Sequence, residues 1–74
     1  MTVVKVIELV GDSPNSWQEA VQNAVREASQ TVRNISGVEV YNLTADVDGG
    51  EVREFKANVK IAFAVEPNRN GKSS

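Results

Sequence analysis

The 74-residue chain contains no cysteine and no histidine. Without cysteine it forms neither a disulfide nor a thiolate metal site, and without histidine it lacks the commonest metal ligand and the commonest general base. Serine, lysine and aspartate are present, but we identify no arrangement of a nucleophile and a base among them. The composition therefore predicts that the protein is not an enzyme.

Strong charge of one sign and long apolar runs are also missing. The net charge is −2 with mixed signs, so we predict no nucleic-acid partner and no attraction to an anionic membrane surface. No apolar run approaches the roughly 20 residues of a membrane span, and Met1-Thr2 leads directly into a strand pattern without a signal peptide. We therefore expect a cytoplasmic protein. A core of this size rarely supplies more than roughly 3–5 kcal/mol, so we expect self-association to stabilise it.

One amphipathic helix organises the chain, and we predict it over Ser16–Asn34. Ser16 and Glu19 have the spacing of a capping box, while Asn34 and Gly37 suit a left-handed exit from the helix. Most of its apolar residues are alanine and valine, so the helix axis is expected to lie close to a sheet. These residues follow the spacing of one helical face and are Trp17, Ala20, Val21, Ala24, Val25, Ala28, Val32 and Ile35.

Three segments have the composition and alternation of strands: Val3–Val10, Val38–Ala45 and Val52–Val65. The third is the most regular and is predicted to be the central strand, joined to the second by the turn residues Asp46 to Gly50. The predicted fold is α+β, a β-α-β-β protomer with a three-stranded antiparallel sheet partly wrapped around one helix. We predict one domain over residues 1–66, followed by a disordered polar tail over 67–74.

The first predicted strand is apolar on both faces, with one charged residue on each, Lys5 and Glu8. A strand at the solvated edge of a monomer is normally polar on one face. We therefore predict that the sheet face away from the helix meets another subunit, and that charging Ile7 or Leu9 would disperse or unfold the protein.

Four short motifs along the chain carry a further signal. They are Lys5-Val6-Ile7-Glu8-Leu9-Val10-Gly11, Ser13-Pro14, Ser16-Trp17-Gln18-Glu19-Ala20 and Val59-Lys60-Ile61-Ala62-Phe63. In this order and spacing, over residues 3–66, the chain closely resembles the dodecin family. The resemblance implies a homo-oligomer of twelve chains that form a hollow sphere of cubic symmetry.

Dodecins are mostly known as flavin-binding and flavin-storing proteins. In the flavin binders a tryptophan just after the helix stacks on the isoalloxazine ring, and a glutamine on the last strand hydrogen-bonds its edge. The corresponding cofactor-binding positions here are Gly37 and Lys56, so both family residue types are absent. The chain is more similar to the calcium dodecins, which keep the shell and bind cations. The sequence does not name the cofactor: the resemblance ranks calcium ahead of flavin, and flavin storage despite the missing residues stays open.

Acidic residues offer candidate metal ligands, and the sequence does not choose among them. Asp46, Asp48 and Glu51 cluster in the predicted hairpin, but their spacing does not complete an EF-hand loop. We interpret them as solvated turn residues. Glu39 and Glu54, like Glu51, are candidates for convergence at a symmetry axis. Two functions thus remain: a non-catalytic shell that stores a small ligand or cation between subunits, and an adaptor that presents its surface to a protein partner.

Overall fold

The computed structural model describes residues 3–65. Strand β1 (Val3–Ser13) is followed by helix α1 (Trp17–Ala28), strand β2 (Ile35–Asp48) and strand β3 (Glu51–Val65). β3 pairs antiparallel with both other strands, so the sheet order is β1-β3-β2. The predicted α+β fold with the third strand in the centre is confirmed. The tail predicted over residues 67–74 lies outside the described residues.

Helix α1 ends at Ala28 and is therefore shorter than the predicted Ser16–Asn34. Ser29 caps it by donating its backbone N–H to Val25 O at 2.9 Å, and β-branched residues with low helix propensity follow at Thr31 and Val32. The prediction was wrong because Val32 and Ile35 continue the helical spacing by coincidence. Ile35 belongs to β2 and reaches the core from the sheet. The predicted left-handed exit from the helix was also wrong, because the C-cap Ser29 is right-handed with φ of −69°. The positive φ of 65° at Asn34 lies directly before β2 instead.

The start of α1 is fixed by a network of short polar side chains. Ser16 accepts the backbone N–H of Glu19 at 3.0 Å, which confirms the predicted N-cap. In a capping box the Glu19 carboxylate would accept the backbone N–H of Ser16, and it does not do so here. Instead it accepts from the buried Ser13 hydroxyl and from the Asn15 amide. These two hydrogen bonds, with a contribution from the charge of Arg26, hold the pKa of Glu19 below its ordinary value of 4.5.

β1 extends beyond the predicted Val3–Val10, because the last three residues of the strand pair with β3 instead of forming a turn. Gly11 is the reason that α1 can lie over this part of the strand. A Cβ at Gly11 would collide with the Ala20 carbonyl oxygen and would lie 2.9 Å from the Ala24 Cβ. The predicted close approach of the helix to the sheet is therefore confirmed at this position.

The core is one thin layer between α1 and the central strand. Its small helical residues allow the two backbones to approach, and its sheet residues alternate along β3 as predicted. Ile7 and Leu9, at which a charge was predicted to disperse or unfold the protein, contact this core from β1 on the helix side. The buried apolar residues are Ala20, Ala24, Ala28, Ala57, Val59 and Ile61.

The β2–β3 hairpin closes at Gly49 and Gly50, both with positive φ, as the predicted turn requires. β2 is longer than the predicted Val38–Ala45 and contains irregular pairing, including one between Val40 and Asn42. The described chain is an elongated slab of 57 × 19 × 13 Å. Because α1 packs mainly on β1 and β3, the described residues leave much of the helix-side face of β2 and the opposite face of the sheet uncovered.

Candidate functional site

We call the side of the sheet away from α1 the free face. It carries the residues of β3 that alternate with the buried ones, from Lys56 to Ala64, and their partners on β1 and β2. On β1 these partners include Val4, Val6 and Val10, which are more than half exposed. The free face therefore combines large apolar side chains with charged ones, and no element among residues 3–65 covers it.

A row of charged residues crosses the free face. Glu8 on β1, Lys60 on β3 and Glu39 on β2 lie directly opposite one another in the sheet register. Tyr41, beside the irregular pairing of β2, joins the row: its hydroxyl donates to Glu8 Oε1 at 3.4 Å, and Lys60 Nζ lies 5.2 Å from its ring centroid. Partial burial raises the pKa of Tyr41 above its ordinary value of 10.0, and the Glu8 carboxylate raises it further.

The row forms part of an open depression of about 650 Å³, a volume typical of small-ligand sites at roughly 300–1,000 Å³. Apolar residues of the three strands border the carboxylates of Glu8 and Glu39 and the ammonium group of Lys60. The depression is lined by Val6, Glu8, Gly37, Val38, Glu39, Lys60 and Ala62. Its chemistry suits a ligand that is partly apolar and that also accepts or donates charge-assisted hydrogen bonds.

Of the two predicted cofactor-binding positions, only Gly37 lines this depression. No atom lies within 4 Å of the position of a Cβ at Gly37, so there is room for a side chain there. Lys56 is also on the free face, but Gly37 pairs with Ala62, six residues along β3 from Lys56, which separates the two positions by about 20 Å. One protomer therefore does not bring them together. The assignment of these positions to a cofactor stays a prediction.

The acidic candidates are distributed along the hairpin and the free face. Glu51 forms an ion pair with Arg53 at 3.6 Å, and Asp46 forms one with Lys56 at 3.2 Å. Glu54 lies opposite Asp46, while Glu39 lines the depression. Among residues 3–65, no three carboxylates converge closely enough to hold a metal ion.

The sequence did not predict a site at Tyr41, Glu8 and Lys60. A signal was present, because Glu8 interrupts an apolar strand and Tyr41 is the only tyrosine. Their convergence depends on the strand register and on the irregular pairing of β2, which single-sequence alternation does not reveal. No helix in the described part of the chain has the length and apolarity to cross a bilayer.

Comparison with known proteins places this geometry in a family. The sequence profile described as Dodecin matches residues 3–66. The calcium dodecin of Mycobacterium tuberculosis is 31% identical over 67 residues, which are 90% of this chain and 94% of that protein. The dodecin of Thermus thermophilus is 30% identical over 64 residues, which are 86% of this chain and 93% of that protein.

Solved structures agree with the sequence comparison. The dodecin structure from Streptomyces coelicolor superposes with a TM-score of 0.86 at 34% identity, covering 90% of this chain and 96% of that one. The crystal structure of the calcium dodecin of M. tuberculosis, described as calcium chelating, has a TM-score of 0.76 at 30% identity and covers 92% and 97% of the two chains. The resemblance inferred from the four motifs is confirmed, and the chain belongs to the dodecin family.

Proposed function

We propose that this chain is a non-catalytic binding and storage protein whose copies assemble into a closed shell, of twelve chains, and hold a small ligand or a cation between subunits. The observation that carries the proposal is the free face, on which exposed valines surround an open depression containing charged groups. A ligand in this depression would be half-covered by one protomer and would be enclosed only by a second copy.

The shape of the protomer supports assembly. Its radius of gyration is 15.8 Å, whereas a compact domain of this length has a value of about 11 Å. A slab 13 Å thick contains one packed layer, and large apolar side chains on both of its sides are 39 to 65% exposed. Exposed apolar surface of this extent is characteristic of interfaces between subunits.

Calcium is the ligand that the side chains favour. Carboxylate oxygens are hard ligands suited to Ca²⁺, and Glu8 and Glu39 place two of them at the depression. Lys60 lies between these residues in the register and opposes a cation within one protomer. Further oxygen ligands would therefore come from a neighbouring copy. The relationship to a calcium dodecin supports the same ligand class.

The direct test combines mass and metal content. We expect native mass spectrometry of the purified protein to give a single closed oligomer, and elemental analysis after dialysis into dilute CaCl₂ to give bound calcium that EGTA removes. Glu39→Gln should lower the bound calcium without changing the oligomer, with Glu27→Gln on the exposed helix surface as the matched control. A stable monomer at micromolar concentration would refute the shell. An oligomer without bound calcium would refute the cation.

Flavin is the second candidate, and the space at Gly37 favours it. We expect the unmodified protein to purify colourless and to bind riboflavin weakly, because Gly37 offers no aromatic face and Lys56 donates but does not accept hydrogen bonds. Gly37→Trp with Lys56→Gln should raise flavin affinity about tenfold to a hundredfold, since roughly 1.4 kcal/mol corresponds to a factor of ten. Quenching of riboflavin fluorescence measures both proteins. Tight binding by the unmodified chain would establish flavin as the ligand.

A further inference from the structure

The floor of the depression on the free face is formed by small residues. Gly37 on β2 and Val6 on β1 both pair with Ala62 on β3, so these three residues lie side by side across the sheet. No atom lies within 4 Å of the position of a Cβ at Gly37, so the space above it is open. The three residues therefore form a flat apolar surface with one valine wall, which we call the apolar floor.

The charged row, consisting of Glu8, Lys60 and Glu39, lies directly beside the apolar floor. Each of its members follows or precedes a floor residue by two positions on the same strand, and such residues are neighbours on one face of a sheet. A ligand that covers the floor would therefore reach the row with a group at its end. The open volume of about 650 Å³ is large enough for a ring and such a group.

The charged row leaves one carboxylate without a partner. The Lys60 ammonium lies 5.2 Å from the centroid of the Tyr41 ring, and within residues 3–65 it forms no ion pair with Glu8 or Glu39. Glu8 accepts a hydrogen bond from the Tyr41 hydroxyl at 3.4 Å. In the described part of the chain, Glu39 accepts no side-chain hydrogen bond. Because the row has one more negative than positive charge, Glu39 is the acceptor that remains for a ligand.

The combination of floor and row favours one class of ligand. A compact divalent ion does not benefit from an apolar floor, and Glu8 and Glu39 fall short of the roughly six to eight oxygen ligands that Ca²⁺ takes. An ammonium group needs fewer acceptors, and its single charge balances the excess of the row. An apolar body attached to this group would cover the floor and remove it from water.

We infer that the depression binds an amphiphilic organic cation, a primary amine attached to a flat apolar body. The ammonium group donates to the Glu39 carboxylate, and the body lies on Gly37 and Ala62 against Val6. This inference rests on the proposed small-ligand function and names the chemical class of the ligand. It does not depend on a second copy of the chain, since one protomer supplies both the floor and the acceptor.

Lys60 determines how strongly the amine binds. Its ammonium carries the same charge as the ligand and lies next to Glu39 in the register, so it competes with the ligand for the row. The Tyr41 ring holds this ammonium at one side of the row. Loss of the Lys60 charge should therefore strengthen amine binding, whereas loss of the Glu39 charge should weaken it. A folding defect would not produce effects of opposite sign.

The test compares three compounds of the same shape and different charge. Phenethylamine is a cation, phenethyl alcohol is neutral and hydrocinnamate is an anion. We expect saturation-transfer NMR titrations of the full-length protein to show tighter binding of the amine than of either other compound by roughly tenfold or more. The reason is that a charge-assisted hydrogen bond is added to the same apolar contact. Equal affinity for the three compounds would overturn the inference.

Variants of the charged row locate the site. Glu39→Gln should weaken phenethylamine binding about tenfold and leave phenethyl alcohol unaffected. Glu27→Gln on the exposed surface of α1 removes the same charge away from the depression and should change neither affinity. Lys60→Gln should strengthen amine binding several-fold, and this gain keeps the test decisive if Glu39→Gln fails to fold. Unchanged amine affinity in folded Glu39→Gln, or in Lys60→Gln, would overturn the inference.

The outcomes separate this inference from the proposed function. If the unmodified protein retains calcium but does not bind phenethylamine, cation storage stands and the inference is overturned. If the amine binds with the expected charge dependence and no calcium is retained after dialysis, the inference stands and calcium is refuted. A monomer that binds the amine in this way would refute the shell and leave the inference standing.

Discussion

The two flanks of α1 border the sheet in opposite ways. Toward β1 the flank is polar: Asn23 donates to Asp12 O at 3.0 Å, and Glu27 lies in the solvated cleft beside it. Toward β2 the flank is apolar, with Trp17, Val21 and Val25 beside exposed aliphatic residues. The first flank needs no apolar cover, since its polar side chains can be solvated in a single protomer. The second leaves large apolar side chains exposed in a single protomer, which is the property of a surface suited to a partner.

The difference between the flanks distinguishes residues that stabilise the protomer from residues expected to contribute to assembly. Between the flanks, a line of small residues joins α1 to β1 and β3 and forms the core of the protomer. Substitutions along this line should therefore lower the free energy of unfolding. Substitutions on the apolar flank should change the mass of the assembly first, and those on the polar flank should have small effects on both.

The largest effect is expected at Gly11, where the line between the flanks is tightest. Gly11→Val should destabilise the protein by about 3 kcal/mol or more, because its side chain would displace the Ala20 backbone and push α1 away from the sheet. Urea unfolding measures the loss. Gly37→Ala is the control and should be close to neutral, since open space surrounds that position. Equal stability of the two variants would contradict the close helix–sheet contact.

The next effect is expected at Ala24, which is 4% exposed beside Gly11. Ala24→Leu should cost about 1–3 kcal/mol by overpacking the same contact, and thermal melting should show it as a lower Tm. Gln22→Leu introduces the same side chain on the exposed surface and should leave Tm almost unchanged. A neutral or stabilising Ala24→Leu would show that the helix has freedom to move away from the sheet.

Loss of the N-cap should have a smaller effect. Ser16→Ala removes the acceptor of the Glu19 N–H and should cost about 1 kcal/mol in chemical denaturation. Ser16→Asp keeps an acceptor at the cap and should retain most of the stability. If both variants lose stability equally, the hydroxyl acts through contacts other than capping.

A substitution on the polar flank should lower stability slightly less than the loss of the N-cap does. Asn23→Ala removes the hydrogen bond to Asp12 O and should cost about 0.5–1 kcal/mol, with no change in oligomer mass. Val25→Ala on the apolar flank should instead weaken assembly upon dilution, as sedimentation at decreasing concentration would detect. An Asn23 variant that dissociates would remove the distinction between the flanks.

The smallest effect concerns pH. The lowered pKa of Glu19 means that the ionised carboxylate is more stable in the folded protein than in the unfolded chain. Its contribution to the free energy of unfolding is therefore fully present above the ordinary pKa of 4.5. This contribution is lost as pH falls through the lower, folded value. Glu19→Gln should therefore flatten the acid side of the stability profile, measured as Tm between neutral and acidic pH. An unchanged acid side would assign that pH dependence to other carboxylates.

The fold was largely predictable because each element carries its own local signal. β3 alternates regularly, α1 has a cap and an apolar stripe, and the Gly49-Gly50 turn has the residues its backbone requires. The end of α1 was not predictable, since Ile35 has the right spacing for the helix and the right shape for a strand. Tertiary pairing of Ile35 with Phe63 decides between the two.

The candidate site was less accessible to sequence analysis. Gly37 was identified through the resemblance and does line the depression, but Tyr41, Glu8 and Lys60 come from three different strands. Their proximity depends on register, which is a non-local property of the sheet. The role of Gly11 was also missed, because glycine after a strand suggests a turn, whereas here it admits a helix backbone.

The central strand β3 is the last element of the described chain, and this order affects how the chain folds. Val3 pairs with Val65, so β1 has no partner until almost all of the described chain has been synthesised. The β2–β3 hairpin is the first pairing that sequence-local contacts allow, and β1 with α1 must close a long loop to join it. Until then the valines of β1 stay exposed on both faces. Folding of this protein is consequently coupled to completion of β3, and truncation before Val59 should yield an aggregating chain rather than a smaller domain.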